Sequence, residues 1–312
     1  FVHAAAIYVL NFQNISLESW RIANFLDSFV RFCVPAFLMI SGALLLNKEE
    51  DITVFINKRL KRVLIPFIFW NIIYFIYKNY KLELSAIDLL QEFVLSFLRG
   101  SSFHFWYIYL IIGLYLFIPI LRKWTISAPE KEVRYFLIIW GITLFINEYT
   151  TQFFPKIELM YFSKFLGYLV LGHYLHKFVD YNKFKLLGIS LFSIGVLATF
   201  FLTDYFTVKN DQFFPFFYEY VSPNIVLASI GIFILVKNLN IKTNKYLLKL
   251  DSYSYGIYLV HIIVLNVIKK FLLKIEMDVL TSIFLLSILT YLFSFITIHL
   301  LVKIKYIKNI VT

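Results

Sequence analysis

Residues 279–302 read VLTSIFLLSILTYLFSFITIHLLV, a run of 24 positions in which His299 is the one side chain that can become charged near neutral pH. As a helix rising 1.5 Å per residue, this run spans about 36 Å, which is more than the ~30 Å hydrocarbon core of a bilayer. Comparable apolar runs recur from one end of the chain to the other. This pattern predicts an all-α integral membrane protein that crosses the bilayer repeatedly.

The composition supports the same class. The 312 residues are 60% hydrophobic and 16% charged, whereas soluble domains are about half apolar and about a quarter charged. The net charge of +11 raises the question of a nucleic-acid partner. However, the cations lie between apolar runs rather than on one basic domain. We therefore expect the lipid bilayer, and no nucleic acid, among the partners.

Charged and Pro- or Asn-containing breaks divide the chain into about ten predicted transmembrane helices. They lie near 1–13, 25–46, 63–80, 104–121, 135–150, 158–176, 186–206, 221–236, 253–273 and 279–302. The chain starts at Phe1, without methionine and already inside an apolar stretch, so we expect it to be truncated within the first span. No segment outside the spans is long enough for a soluble domain, which predicts a single domain over 1–312.

The orientation follows from lysine and arginine in alternate connections. One set of connections, which includes 47–62 and the tail 303–312, holds nineteen of these residues, and the other set holds nine. The positive-inside rule puts the richer set, and with it both termini, in the cytoplasm.

A basic cluster in the stretch FINKRLKRVLIPF (55–67) holds Lys58, Arg59, Lys61 and Arg62. One reading is a cytoplasmic anchor whose side chains reach the lipid headgroups. The other is an anion site, because positions three apart share a helix face and two guanidinium groups suit a diphosphate. Pro66 is expected in the first turn of the next span.

Ionisable residues at membrane depth are candidates for function. His3 lies about ten residues before the outer end of the first span, or roughly 15 Å deep. A histidine there is either a hydrogen-bonded packing residue or a general base for a hydroxyl. Asp27 and Arg31 are four apart and predict a pair on one helix face, either structural or part of a substrate site.

Two further histidines lie within apolar segments. His104 precedes Trp106 and Tyr107 in SSFHFWYIY, and His261 ends the stretch SYGIYLVH. An interfacial aromatic belt explains Trp106 and Tyr107, but it explains His104 less well. We expect all four side chains to line a substrate site.

Several sequence motifs are absent. The chain has no Walker A loop, no GxGxxG, no HExxH and no GxSxG, and Cys33 is its single cysteine. If the protein is an enzyme, this favours transfer by a general base over a Ser-His-Asp mechanism, and it predicts no metal.

Six stretches keep a characteristic order and spacing along the chain: FVH (1–3), RFCVPAFLMISGALLL (31–46), FINKRLKRVLIPFIFW (55–70), FHFWYIYLIIGLYLFIPIL (103–121), LGYLVLGHYL (166–175) and SYGIYLVHIIVL (254–265). Together they resemble acyltransferase family 3 of bacterial multi-pass membrane proteins. The branch most resembled modifies enterobacterial common antigen and polysaccharide adhesins.

The resemblance implies a membrane-bound O-acyltransferase of the bacterial cytoplasmic membrane. It would move an acyl group, commonly acetyl, from cytoplasmic acyl-CoA to a hydroxyl of a cell-surface or lipid-linked glycan. In this family the first-span histidine, matched by His3, is the proposed base. An Arg-x-x-Arg matched by Arg59 and Arg62 holds the CoA phosphates, and His104, Trp106 and Tyr107 match a fourth-span motif.

The chain also departs from the family pattern. It begins too late to show the basic residue expected eleven positions before His3, and HFWYIYLIIG lacks the glutamate of the branch with an appended esterase-like domain. We therefore expect no appended domain. The resemblance leaves the acceptor glycan and the choice between acetyl and succinyl open. The alternative function is export of a surface polysaccharide or lipid-linked saccharide.

Overall fold

The computed structural model describes residues 1–80, 85–149, 164–239 and 242–312, and in these ranges the regular structure is helical, with no strand. The α-helices are α1 (Val2–Val9), α2 (Leu17–Val30), α3 (Cys33–Leu45), α4 (Ile52–Asn79), α5 (Ala86–Arg99), α6 (Trp106–Ser127), α7 (Glu130–Tyr149), α8 (Leu166–Phe178), α9 (Lys185–Asn210), α10 (Pro223–Lys237), α11 (Lys245–Leu272), α12 (Val279–Val302) and α13 (Lys308–Val311).

Seven helical segments in the described residues are long and apolar enough to cross a membrane. They are Leu17–Leu45, Ile52–Asn79, Phe103–Ser127, Lys185–Asn210, Pro215–Lys237, Lys245–Leu272 and Val279–Val302. The prediction of an all-α membrane protein is confirmed, and the count of ten stays a prediction. The predicted span 158–176 lies partly outside the described residues.

The first of these segments is made of two helices. Helix α2 begins after Ser16, whose side chain accepts a hydrogen bond from the Ser19 backbone N–H, and it ends at Val30. Helix α3 starts at Cys33. Arg31 therefore lies at the junction of two helices and not within one uninterrupted span.

Helix α4 begins earlier than the sequence predicts. The Asp51 carboxylate accepts hydrogen bonds from the backbone N–H groups of Thr53 and Val54, at 2.8 and 3.1 Å, and this cap starts the helix at Ile52. The basic cluster is therefore helical. The placement of Pro66 in a first turn is wrong, because Pro66 lies inside α4. A proline there cannot donate to the carbonyl of Arg62, four residues earlier.

Helix α5 was not predicted. Ser85 caps it, and its polar positions recur every three or four residues beside a broad apolar surface. Its side chains mix charges with leucines too evenly to form a long apolar run, so hydropathy does not indicate this helix.

Contacts within the chain group the described residues into two compact units. Unit 1 comprises 1–49, 120–241 and 277–284, and unit 2 comprises 50–119, 242–276 and 285–312. In unit 1, α3 packs against α8 backbone to backbone. A Cβ added to Gly42 would lie 1.9 Å from the Leu169 carbonyl oxygen, and one added to Gly172 would lie 1.9 Å from that of Met39. Small residues permit such close packing of membrane helices.

Unit 2 is built around α4. The Tyr74 hydroxyl donates to the Leu259 carbonyl of α11 at 3.0 Å and accepts from the Ile263 backbone N–H at 3.2 Å. The Trp70 indole N–H donates to the Val311 carbonyl at 3.4 Å. These bonds attach α11 and α13 to the buried face of α4.

Candidate functional site

The basic cluster lies on the first half of α4 in unit 2. Lys58, Lys61 and Arg62 are exposed, while Arg59 is half-buried. The Lys58 ammonium comes within 3.9 Å of the Glu50 carboxylate at the surface, a loose pair that contributes little. Arg59 is thus the least exposed of the four cations.

Arg59 faces the interior of unit 2. Its guanidinium carbon lies 5.8 Å from the centre of the Phe55 ring, and its Nε is buried and makes no hydrogen bond within the described residues. Tyr115 of α6 lies within electrostatic range of both Arg59 and Arg62. The two guanidinium groups therefore act on the same region, as the three-residue spacing predicts.

A short turn holds the segment that contains His104. Helix α5 ends at Arg99, and the next residue, Gly100, has a φ of +79°, a conformation that favours glycine. The Asn71 side-chain carbonyl then accepts a hydrogen bond from the Ser101 backbone N–H at 2.8 Å, and its amide donates to the Ser96 carbonyl at 3.1 Å. Asn71 of α4 thereby holds the chain segment that precedes His104.

The two intramembrane histidines of unit 2 lie together. The ring centres of His104 and His261 are 5.1 Å apart, with an angle of 75° between the planes. His104 is buried, and its Nδ1 lies 2.9 Å from the Ser102 hydroxyl. The Nδ1 of His261 bonds to the Tyr258 carbonyl. Because a carbonyl only accepts, Nδ1 carries the proton of neutral His261, and its Nε2 holds the lone pair.

Tyrosines surround this histidine pair. The Tyr258 ring lies 5.4 Å from His104 and 5.8 Å from Tyr107, and its hydroxyl donates to the His104 carbonyl. Tyr74 lies 5.4 Å from His104 on another side. Trp106 is exposed, which is typical of an interfacial tryptophan. Of the predicted lining residues in unit 2, His104, Tyr107 and His261 therefore gather in one place.

In unit 1, the predicted pair of Asp27 and Arg31 is confirmed. An Arg31 terminal nitrogen donates to Asp27 Oδ2 at 2.7 Å, and the aspartate is fully buried. The guanidinium lies 4.1 Å from the centre of the Tyr218 ring, and Tyr220 is 5.8 Å away. Asp27 Oδ1 and Arg31 Nε make no hydrogen bond within the described residues.

The structure places His3 in the first turn of α1, where it is half-buried. Helix α1 packs against α2, and the Trp20 indole N–H donates to the Val9 carbonyl at 3.0 Å. The Phe1 backbone nitrogen lies within electrostatic range of Asp27. The start of α1 therefore lies in the neighbourhood of the Asp27–Arg31 pair.

Four tyrosines near these groups were not predicted from the sequence: Tyr74, Tyr115, Tyr255 and Tyr258. Tyr255, Tyr258 and His261 follow one another at intervals of three, a signal that was readable as a helix surface. Within the part of the chain that the structure describes, no three His, Cys, Asp or Glu side chains gather as a metal site would require.

The chain was compared with known proteins. The family model described as acyltransferase domain, acyltransferase family 3, matches residues 1–299. No curated protein and no solved structure matched the chain. The match spans nearly the whole chain and includes both the basic cluster and the histidine pair. The chain therefore belongs to acyltransferase family 3, and it is a membrane acyltransferase.

Proposed function

We propose that this protein transfers an acyl group, with acetyl expected, from acyl-CoA to a hydroxyl of a cell-surface or lipid-linked glycan. Membership of the acyltransferase family supports the reaction class. The observation that carries the choice of donor is Arg59. Its inward-facing Nε is buried without a hydrogen bond in the described residues, three positions from a second arginine.

In this proposal, Arg59 and Arg62 bind the diphosphate of CoA. Guanidinium groups form charge-assisted, forked hydrogen bonds with phosphate oxygens, and these are stronger than neutral ones. Lys58 and Lys61 point to solvent and act as membrane-surface anchors. The excess of lysine and arginine in one set of connections supports a cytoplasmic position for this cluster and for both termini, in a bacterial cell membrane.

His3 is the proposed general base. Its imidazole takes the proton of the acceptor hydroxyl while the hydroxyl oxygen attacks the thioester carbonyl carbon. The carbon–sulfur bond then breaks, and CoA leaves as a thiol with the proton that the histidine returns. General-base catalysis of this kind contributes about 10²–10⁴ in rate.

The acceptor binds, in our proposal, at the Asp27–Arg31 pair. A fully buried carboxylate oxygen without a donor suits a sugar hydroxyl, because a buried acceptor that stays unpaired costs about 1–3 kcal/mol. Tyr218 and Tyr220 add aromatic surface beside the guanidinium. His104, Trp106, Tyr107 and His261, which belong to unit 2, keep their predicted role as residues that line a substrate site.

The test uses a strain that lacks the gene and is complemented with the wild type, with His3→Ala or with His299→Ala. His299 is a matched control, because it packs against Tyr253 and Phe295 and has no role in the proposed chemistry. Mass spectrometry of surface glycans measures ester-linked acyl groups and total glycan.

We expect His3→Ala to abolish acylation while total glycan stays constant, and His299→Ala to acylate normally. Full acylation by His3→Ala, at equal amounts of protein in the membrane, would refute the base assignment. Disappearance of all surface glycan on deletion of the gene would instead support export.

A further inference from the structure

The tyrosines of unit 2 lie in sequence from the basic cluster toward the histidine pair. Tyr115 lies within electrostatic range of Arg59 and Arg62, and also of Tyr255. Tyr255 stacks on Tyr258, with ring centres 6.4 Å apart and planes 13° apart. Three helices, α4, α6 and α11, supply these side chains.

The row of tyrosine side chains reaches the histidine pair at Tyr258. Tyr258 lies 5.4 Å from His104 and 5.7 Å from His261. Tyr107 joins it from α6, eight residues before Tyr115 and thus on the same helix face. We call Tyr107, Tyr115, Tyr255 and Tyr258 the tyrosine track.

The three helices give a consistent direction for this track. The Tyr255 hydroxyl donates to the carbonyl of Val63 at 2.9 Å, next to Arg62, whereas Tyr74 of the same α4 lies at His104. From Arg62 to Tyr74 is twelve residues, or about 18 Å of helix rise. The track therefore extends along α4 from the level of Arg62 to the level of Tyr74, a rise of about 18 Å.

The pantetheine arm of CoA has a similar length. About 13 covalent bonds separate its phosphorus from its sulfur, which is on the order of 15 Å when a chain with backbone-like bond lengths is extended. The arm carries two amides, one hydroxyl and two methyl groups. Tyrosine rings offer an apolar wall with a polar end, which suits a chain of this mixed character.

We propose that the tyrosine track binds the pantetheine arm of acyl-CoA, an inference that rests on the proposed function. Tyr255 and Tyr258 already donate their hydroxyl protons to carbonyl groups, so their oxygens accept from the amide N–H groups of the arm.

The competing explanation is that these rings only pack the interior of unit 2. The two explanations differ in one measurable quantity, the affinity contributed by the arm. 3′-Phosphoadenosine 5′-diphosphate keeps the adenine, the ribose, its 3′-phosphate and the 5′-diphosphate of CoA, so the two ligands differ by the arm alone. Packing alone affects both ligands through the fold, while an arm site affects CoA alone.

The experiment measures binding of CoA and of 3′-phosphoadenosine 5′-diphosphate to the purified full chain in nanodiscs by titration calorimetry. The variants are Tyr115→Phe, Tyr255→Phe and, as a matched control, Tyr109→Phe. Tyr109 lies on α6 like Tyr115, and its hydroxyl donates to the Phe97 carbonyl at 2.7 Å, off the track. The control therefore loses the same kind of bond that Tyr255→Phe loses. Thermal unfolding checks the fold of each variant.

We expect Tyr115→Phe and Tyr255→Phe each to weaken CoA about 3- to 10-fold, as the loss of one neutral hydrogen bond predicts, without changing the nucleotide. Tyr109→Phe should bind both ligands like the wild type. Unchanged CoA binding in both track variants, or equal weakening of CoA and nucleotide, overturns the track and leaves the proposed function standing. Failure of the wild type to bind CoA overturns both.

Discussion

Replacing Arg59 by alanine should weaken CoA binding far more than replacing any other cation of the basic cluster. Arg59 is half-buried with an inward-facing Nε, whereas Lys58, Lys61 and Arg62 are exposed. A hydrogen bond to a charged group that is shielded from water contributes about 1.5–3 kcal/mol. At 1.4 kcal/mol per tenfold, Arg59→Ala should raise the Kd for CoA about 10- to 150-fold.

The other three cations of the basic cluster are exposed to solvent, so we expect smaller changes in CoA affinity when they are replaced. An exposed ion pair contributes about 0–1 kcal/mol, so Arg62→Ala should raise the Kd for CoA no more than about fivefold. Lys58→Ala is the matched control, since it removes one positive charge from the neighbouring position of the same helix. Its CoA affinity should equal that of the wild type.

Titration of the purified protein with CoA at two salt concentrations gives these affinities. Arg59→Lys keeps the charge and removes the fork, so it should recover little of the lost affinity. Pantetheine, which lacks the diphosphate, should bind Arg59→Ala and the wild type equally. The reasoning is refuted if Arg59→Ala and Lys58→Ala weaken CoA to the same extent, because a general surface charge would then explain both.

Three further outcomes concern stability in unit 1, each followed by thermal unfolding in detergent. Gly172→Ala should destabilise the fold by about 1–3 kcal/mol or more, since the added Cβ would lie 1.9 Å from backbone. Gly141→Ala should not, because nothing lies within 4 Å of its added Cβ. Equal Tm values for the two variants would contradict the close contact at Gly172. Asp27→Ala should cost about 3–5 kcal/mol, because it leaves a buried arginine uncompensated, and a wild-type Tm would exclude this. A hydrogen bond from Arg134 lowers the pKa of Glu130. The stability that this bond contributes is therefore present above pH 4.5 and is lost as the pH falls through the lowered pKa. A difference in Tm between the wild type and Glu130→Gln that persists at low pH would contradict this.

The membrane class and most spans were predictable from the sequence, because bilayer thickness requires long apolar runs and these runs are continuous in the chain. The Asp27–Arg31 pair was predictable for a similar reason, as residues four apart meet on any helix. Both features depend on local geometry alone. The start of α4 was not predictable in this way. Four cations interrupt the apolar pattern, although the Asp51 cap begins the helix before them.

The histidine pair was not predictable in its geometry. His104 and His261 are 157 positions apart in the chain, and their proximity depends on how α4 and α11 pack. The bond from Tyr258 to the His104 carbonyl likewise joins segments 154 residues apart. A single sequence names the residue types suited to a site, but it contains no direct signal for such long-range contacts.

Hydrogen-bonding capacity separates two kinds of buried polar residue in this protein. Asn71 and Tyr74 bond to neighbouring segments of unit 2 and hold them in place. Asp27, Arg31 and Arg59 each keep a buried polar atom that makes no hydrogen bond within the described residues. Leaving such an atom unsatisfied is costly in an apolar environment, so its retention favours a partner that arrives from outside the chain. For the two arginines and the aspartate, a phosphate oxygen and a sugar hydroxyl are the partners whose chemistry fits.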